Sequence, residues 1–173
     1  MNIEIYLSVY IYFMEYKKDE TKETTLKEVE ENFIVQIENM KKRGIKIPLN
    51  EIISLFCCND KNVMFINFYC IKWFKNIEKQ MIINIIRNNI LAIIEKGYEK
   101  ITIHVCLKSL SVSHIDTYYS LFKDASTIFK KEFPERLEKC YLYHCSSIFT
   151  YIYKLISTML ERDTLERVEV YKK

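Results

Sequence analysis

From about residue 63 to residue 171 the chain alternates short β-prone runs with amphipathic helical stripes, and this alternation constrains its fold more than any other feature. The sharpest break is Phe133-Pro134-Glu135-Arg136-Leu137-Glu138-Lys139. Pro134 has no backbone N–H and disfavours helix in the residue before it, so a helix running up to Lys131 stops there. Cys140-Tyr141-Leu142-Tyr143-His144-Cys145 follows as a β-prone run, and 139–144 is predicted as a strand. Upstream, 63–71 is β-branched and aromatic with little alternation, the pattern of a strand buried on both faces. Met81, Ile82, Ile85, Ile86, Ile90, Ile93 and Ile94 form a broad apolar stripe that predicts a helix over 78–96, closed by Gly97. A strand over 101–107, a helix over 116–131, a helix over 147–160 and a last strand over 167–171 complete the series. The segment 49–56 reads as a helical turn or a strand, and Asn59-Asp60-Lys61-Asn62 as a polar turn. Strands alternating with helices of this length predict an α/β fold: a mostly parallel, mixed sheet flanked by helices.

An N-terminal helical extension precedes this unit. Thr25 and Glu28 have capping-box spacing, and Leu26, Val29, Phe33, Ile37 and Met40 recur along one helical face. Gly44 sits at the C-cap position and Pro48 ends the segment, which divides the chain into 1–47 and 48–173. The apolar, Tyr-rich stretch 5–14 follows Glu4 rather than a basic leader and reads as a packed strand or helix. No stretch reaches the roughly eighteen apolar residues of a membrane span.

Composition excludes several classes of function. With only 2 Gly in 173 residues there is no Gly-rich phosphate loop and no dinucleotide fingerprint. Net charge is +3, from 26 basic and 23 acidic side chains that are interspersed, so no nucleic-acid partner is expected. The compact basic cluster Lys41-Lys42-Arg43 reads as a favourable helix C-terminus. The 6 cysteines include no Cys-x-x-Cys and mostly sit in apolar runs, which fits a reducing, cytoplasmic compartment. His104, Cys106, His144 and Cys145 fall on neighbouring strands and could supply soft metal ligands. Consecutive His144 and Cys145 face opposite ways, however, so core packing is the favoured reading and no metal is expected. No catalytic residue and no cofactor are predicted. A Cys nucleophile would need a lowered pKa and a cleft that nothing local supplies.

Three pieces in order carry a family resemblance. They are Ile103-His104-Val105-Cys106-Leu107-Lys108-Ser109-Leu110-Ser111-Val112-Ser113, the turn Phe133-Pro134-Glu135-Arg136-Leu137, and the helix from Ser147-Ile148-Phe149 to Met159-Leu160. From about residue 60 to 171 the chain resembles the CRAL-TRIO lipid-binding domains. It departs from them at Cys106, where the family usually has Asp, at Ser109, where it has Gly, and at His144-Cys145-Ser146, where it has Asn-Ala-Pro. The chain ends at Lys173, before the positions of the family's gate helix and terminal region. The resemblance implies non-enzymatic binding or transfer of a hydrophobic, lipid-like ligand. Ser111 and Ser113 match phosphocholine-contacting positions, and Glu135 matches an inositol-contacting one. The alternative for Ser111 and Ser113 is capping of the next helix, and for Glu135 simple organisation of the turn. Phe65, Phe68, Val105, Leu107, Tyr119, Phe122 and Phe149 are the predicted apolar lining for an acyl chain. The expected setting is cytoplasmic, with peripheral membrane contact. The alternative is a reduced protein-interaction module without a lipid cavity, whose apolar sheet face is covered by residues 3–14, a second copy or another protein.

Overall fold

The computed structural model describes residues 49–73, 78–107, 111–144 and 149–170, together with Lys42. Contacts divide the chain at Pro48, into Met1–Pro48 and Leu49–Lys173, and the elements that follow belong to the second unit. The expectations for 5–14, the Thr25–Glu28 cap, the helix over 26–40 and Gly44 lie outside the described residues.

The described elements run α1 (Leu49–Phe56), β1 (Cys57–Asp60), β2 (Val63–Asn67), a 3-10 helix (Phe68–Trp73), α2 (Lys79–Glu95), β3 (Ile101–Cys106), α3 (Val112–Lys131), β4 (Leu137–Tyr143), α4 (Phe149–Met159), α5 (Arg162–Leu165) and β5 (Val168–Val170). The five strands form one sheet in the order β1-β2-β3-β4-β5. β1 pairs antiparallel with β2, and every later pair is parallel. The architecture is therefore α/β, with a mixed and mostly parallel sheet. Each parallel step needs a crossover, and right-handed crossovers through strands laid down in one direction place α2, α3 and α4 in a single layer. Their contacts agree, since α2 packs on α3 and α3 on α4.

That layer covers one face of the sheet. Strand β3 alternates strictly: Ile101, Ile103 and Val105 are buried, while Thr102, His104 and Cys106 are half-buried. Met64 and Ile66 of β2 share the buried face through their register with Ile103 and Val105. Helix α2 closes over it with Ile82, Ile83, Ile85, Ile86, Ile90 and Ile93. Each such side chain contributes about 1.5–3 kcal/mol when fully withdrawn from water. Phe56, Phe68 and Phe122 extend the same core, with ring centroids 6.1 Å apart for Phe56–Phe68 and 4.8 Å for Phe68–Phe122.

Local chemistry ends the elements where they end. After α2, Gly97 takes φ +88, which a residue with a Cβ rarely adopts. Its N–H donates to the Ile94 carbonyl (2.8 Å) and the Tyr98 N–H to that of Ile93 (3.4 Å), the Schellman pattern. At the Pro134 turn, Glu135 adopts φ 61, and the Arg136 carbonyl accepts the Ile101 N–H at 2.7 Å. The turn thereby locks the start of β3 beside the start of β4. Arg87 of α2 donates through Nε and Nη2 to both Glu132 oxygens at 2.7 Å and ties α2 to the end of α3.

Three elements differ from the sequence reading. The polar run 59–62 is not all turn, because Cys57–Asp60 forms edge strand β1. Asn59 is tolerated there because its side chain bonds Asn89 (2.7 Å) and Lys96 (3.1 Å), and the reversal falls on Lys61, at φ 51, and Asn62. The apolar run 63–71 stays extended only to Asn67 and then tightens into the 3-10 helix. Helix α3 starts at Val112 rather than 116, because Ser111 caps it.

Candidate functional site

The second face of the sheet carries the unusual chemistry. In a parallel sheet register partners point the same way, so Phe65 of β2, His104 of β3, Tyr141 of β4 and Glu169 of β5 form one transverse row. Cys106 and Tyr143 stand one step along the strands, with Asn67. The rings are in contact. Phe65 stacks on His104 at 5.1 Å, His104 meets Tyr141 at 5.0 Å, and Tyr143 lies parallel to His104 at 5.7 Å and 8°. Ring pairs at such spacing add about 0.5–1.5 kcal/mol each beyond area burial. His104 Nδ1 and Tyr143 Oη are 2.8 Å apart, one donating to the other, so the row has a polar pair inside it.

The β5 end of the row is charged. The Lys139 ammonium donates to Glu169 across β4 and β5, and both side chains are roughly 40% exposed (42% and 43%). Arg167 Nη1 donates to the Leu137 carbonyl at 2.5 Å and is therefore turned to the backbone. At the β1 edge, Cys58 is brought to this face by its register with Phe65. Burial, helped by the charge of Asp60, pushes the Cys58 thiol up to about 11. On the packed face, burial alone pushes Cys140 to about 12. Such thiols are poor nucleophiles. Among the described residues no three His, Cys, Asp or Glu side chains gather where they could hold a metal ion. His104 and Cys106 do share the second face, while Cys145 lies outside the described residues.

The residues singled out in the sequence are distributed over several places. Phe65 lies in the ring row. Phe68, Val105 and Leu107 are buried in the core on the helix-covered side, and Phe122 packs against it. Tyr119 is exposed on α3. Phe149 begins α4, and its side chain is outside the described set. Ser111 is the N-cap of α3: its Oγ accepts the His114 N–H at 3.3 Å and lies 2.9 Å from Ser113 Oγ. The Ser111 N–H in turn donates to His114 Nδ1 at 3.2 Å, a reciprocal capping box. Glu135 is exposed in the turn before β4, and its carbonyl accepts from Lys100 Nζ at 2.7 Å. Ser111 follows the C-terminal end of β3, whereas Glu135 adjoins its start. At about 3.3 Å per strand residue these lie roughly 20 Å apart, so the structure does not unite them in one head-group site.

His104, Lys139 and Glu169 were not among the predicted binding residues, whereas Tyr141 and Tyr143 read from the sequence as core or pocket-lining aromatics. The signal for His104 was the two-residue alternation of β3, which separates Thr102, His104 and Cys106 from Ile103 and Val105 between them.

Comparison with known proteins agrees with this architecture. The solved crystal structure of Sfh5 superposes with a TM-score of 0.53 at 21% identity, over 72% of this chain and 51% of Sfh5. The SEC14 cytosolic factor of Yarrowia lipolytica is 34% identical over 65 residues, 38% of this chain. The chain spans about half the length of Sfh5, and the matched stretch is 13% of the SEC14 factor. The family model for the CRAL/TRIO domain matches residues 8–173, and the chain belongs to that family.

Proposed function

We propose that this protein binds a hydrophobic, lipid-like ligand without chemically altering it, and that the second face of the sheet is the floor on which the ligand's apolar part lies. The CRAL/TRIO family, like its SEC14-type members, is one of lipid binding and transfer proteins rather than enzymes generally. The observation that carries the reading for this chain is the asymmetry of the sheet. One face is filled by the isoleucines of α2, while the other presents the contiguous ring row Phe65–His104–Tyr141 with Tyr143 beside it. Phe68, Val105, Leu107 and Phe122 then back the floor from the packed side. Each methylene of a chain laid on it contributes about 0.8 kcal/mol, so ten give roughly 8 kcal/mol before the cost of lost motion. Contacts from Ser111, Ser113 and Glu135 are not needed, because the first two already serve the α3 cap. Among the described residues no helix is long and apolar enough to cross a membrane.

The test is native mass spectrometry of protein purified gently from cells, with Tyr141→Ser beside the wild type. The reading expects a lipid-mass adduct on the wild type that the variant loses while keeping its fold. Ligand-free wild type that takes up no labelled phospholipid or fatty acid would count against it.

A further inference from the structure

We draw no further inference here: the strongest candidate, the hydrogen-bonded His104–Tyr143 pair inside the ring row on the second face of the sheet, belongs to the site already described.

Discussion

Replacing Ile103 by alanine isolates the assignment of roles to the two sheet faces. Ile103 lies in the middle of the central strand and is 4% exposed, in register with Met64 on one side and Cys140 on the other. The change removes three carbons, about 2.4 kcal/mol of transfer free energy. The cavity left under α2 adds to this because the isoleucine layer relaxes only in part, for a total of about 3–4 kcal/mol. Phe65→Ala is the paired control. Phe65 is larger, but it is half-buried on the other face and stacked mainly on His104. Its loss should cost about 1–2 kcal/mol, less than truncation of a fully enclosed aromatic. Urea unfolding followed by circular dichroism gives both numbers as shifts in midpoint at constant slope. The expected order is a large loss for Ile103→Ala and a smaller one for Phe65→Ala, with lipid uptake changed out of proportion in the latter. An Ile103→Ala cost below about 1 kcal/mol, or the reverse order of the two, would refute the claim that the helix-covered face holds the fold and the ring-lined face is held ready for a ligand.

Further consequences follow from other contacts. Ser111→Ala removes the cap hydroxyl of α3 and should lower stability by about 1 kcal/mol in the same urea assay, while Ser111→Asp largely restores it. The paired Arg87 guanidinium holds the Glu132 carboxyl below its ordinary value of 4.5. Its folded pKa is depressed, so its contribution is present above the unfolded pKa and is lost as pH falls through the folded one. Between pH 6 and pH 3 the melting temperature of the wild type should therefore fall more steeply than that of Glu132→Gln. Burial pushes the Cys140 thiol to about 12, so at pH 8 it should react with iodoacetamide roughly a thousandfold more slowly than a free thiol, and should gain ordinary reactivity in urea.

Much of the fold was legible because its signals are local and repeated. The stripe of isoleucines from Ile82 to Ile93 spans about three helical turns, and Pro134 ends a helix by covalent geometry alone. Edge strand β1 was hidden because Asn59 and Asp60 are turn formers by propensity. Only the tertiary bonds from Asn59 to Asn89 and Lys96 let that pair lie extended. The capping role of Ser111 was legible, whereas the start of α3 at Val112 was not, because the box is closed by His114 rather than by the usual Glu or Gln.

The proposed binding face was harder to read for a physical reason. Apolar character marks residues that leave water, and on this sheet Val105 and Leu107 leave it for the helix layer. The side left for a ligand is the more mixed one, with His104, Tyr141, Tyr143 and an ion pair. Handedness decides which side that is: successive right-handed crossovers put α2, α3 and α4 together on the other face. Period-two alternation in β3 separated the two sets of residues, but only the crossovers showed which set the helices would cover.

The most direct measurement is paramagnetic broadening in NMR spectra of the full chain, titrated with a fatty acid carrying a nitroxide along its chain. The ring protons of Phe65, His104, Tyr141 and Tyr143 should broaden first, with the methyls of Ile90 and Ile93 sharp at the same ratio. Broadening that begins at the α2 isoleucines, or that spreads evenly over both faces, would contradict the account.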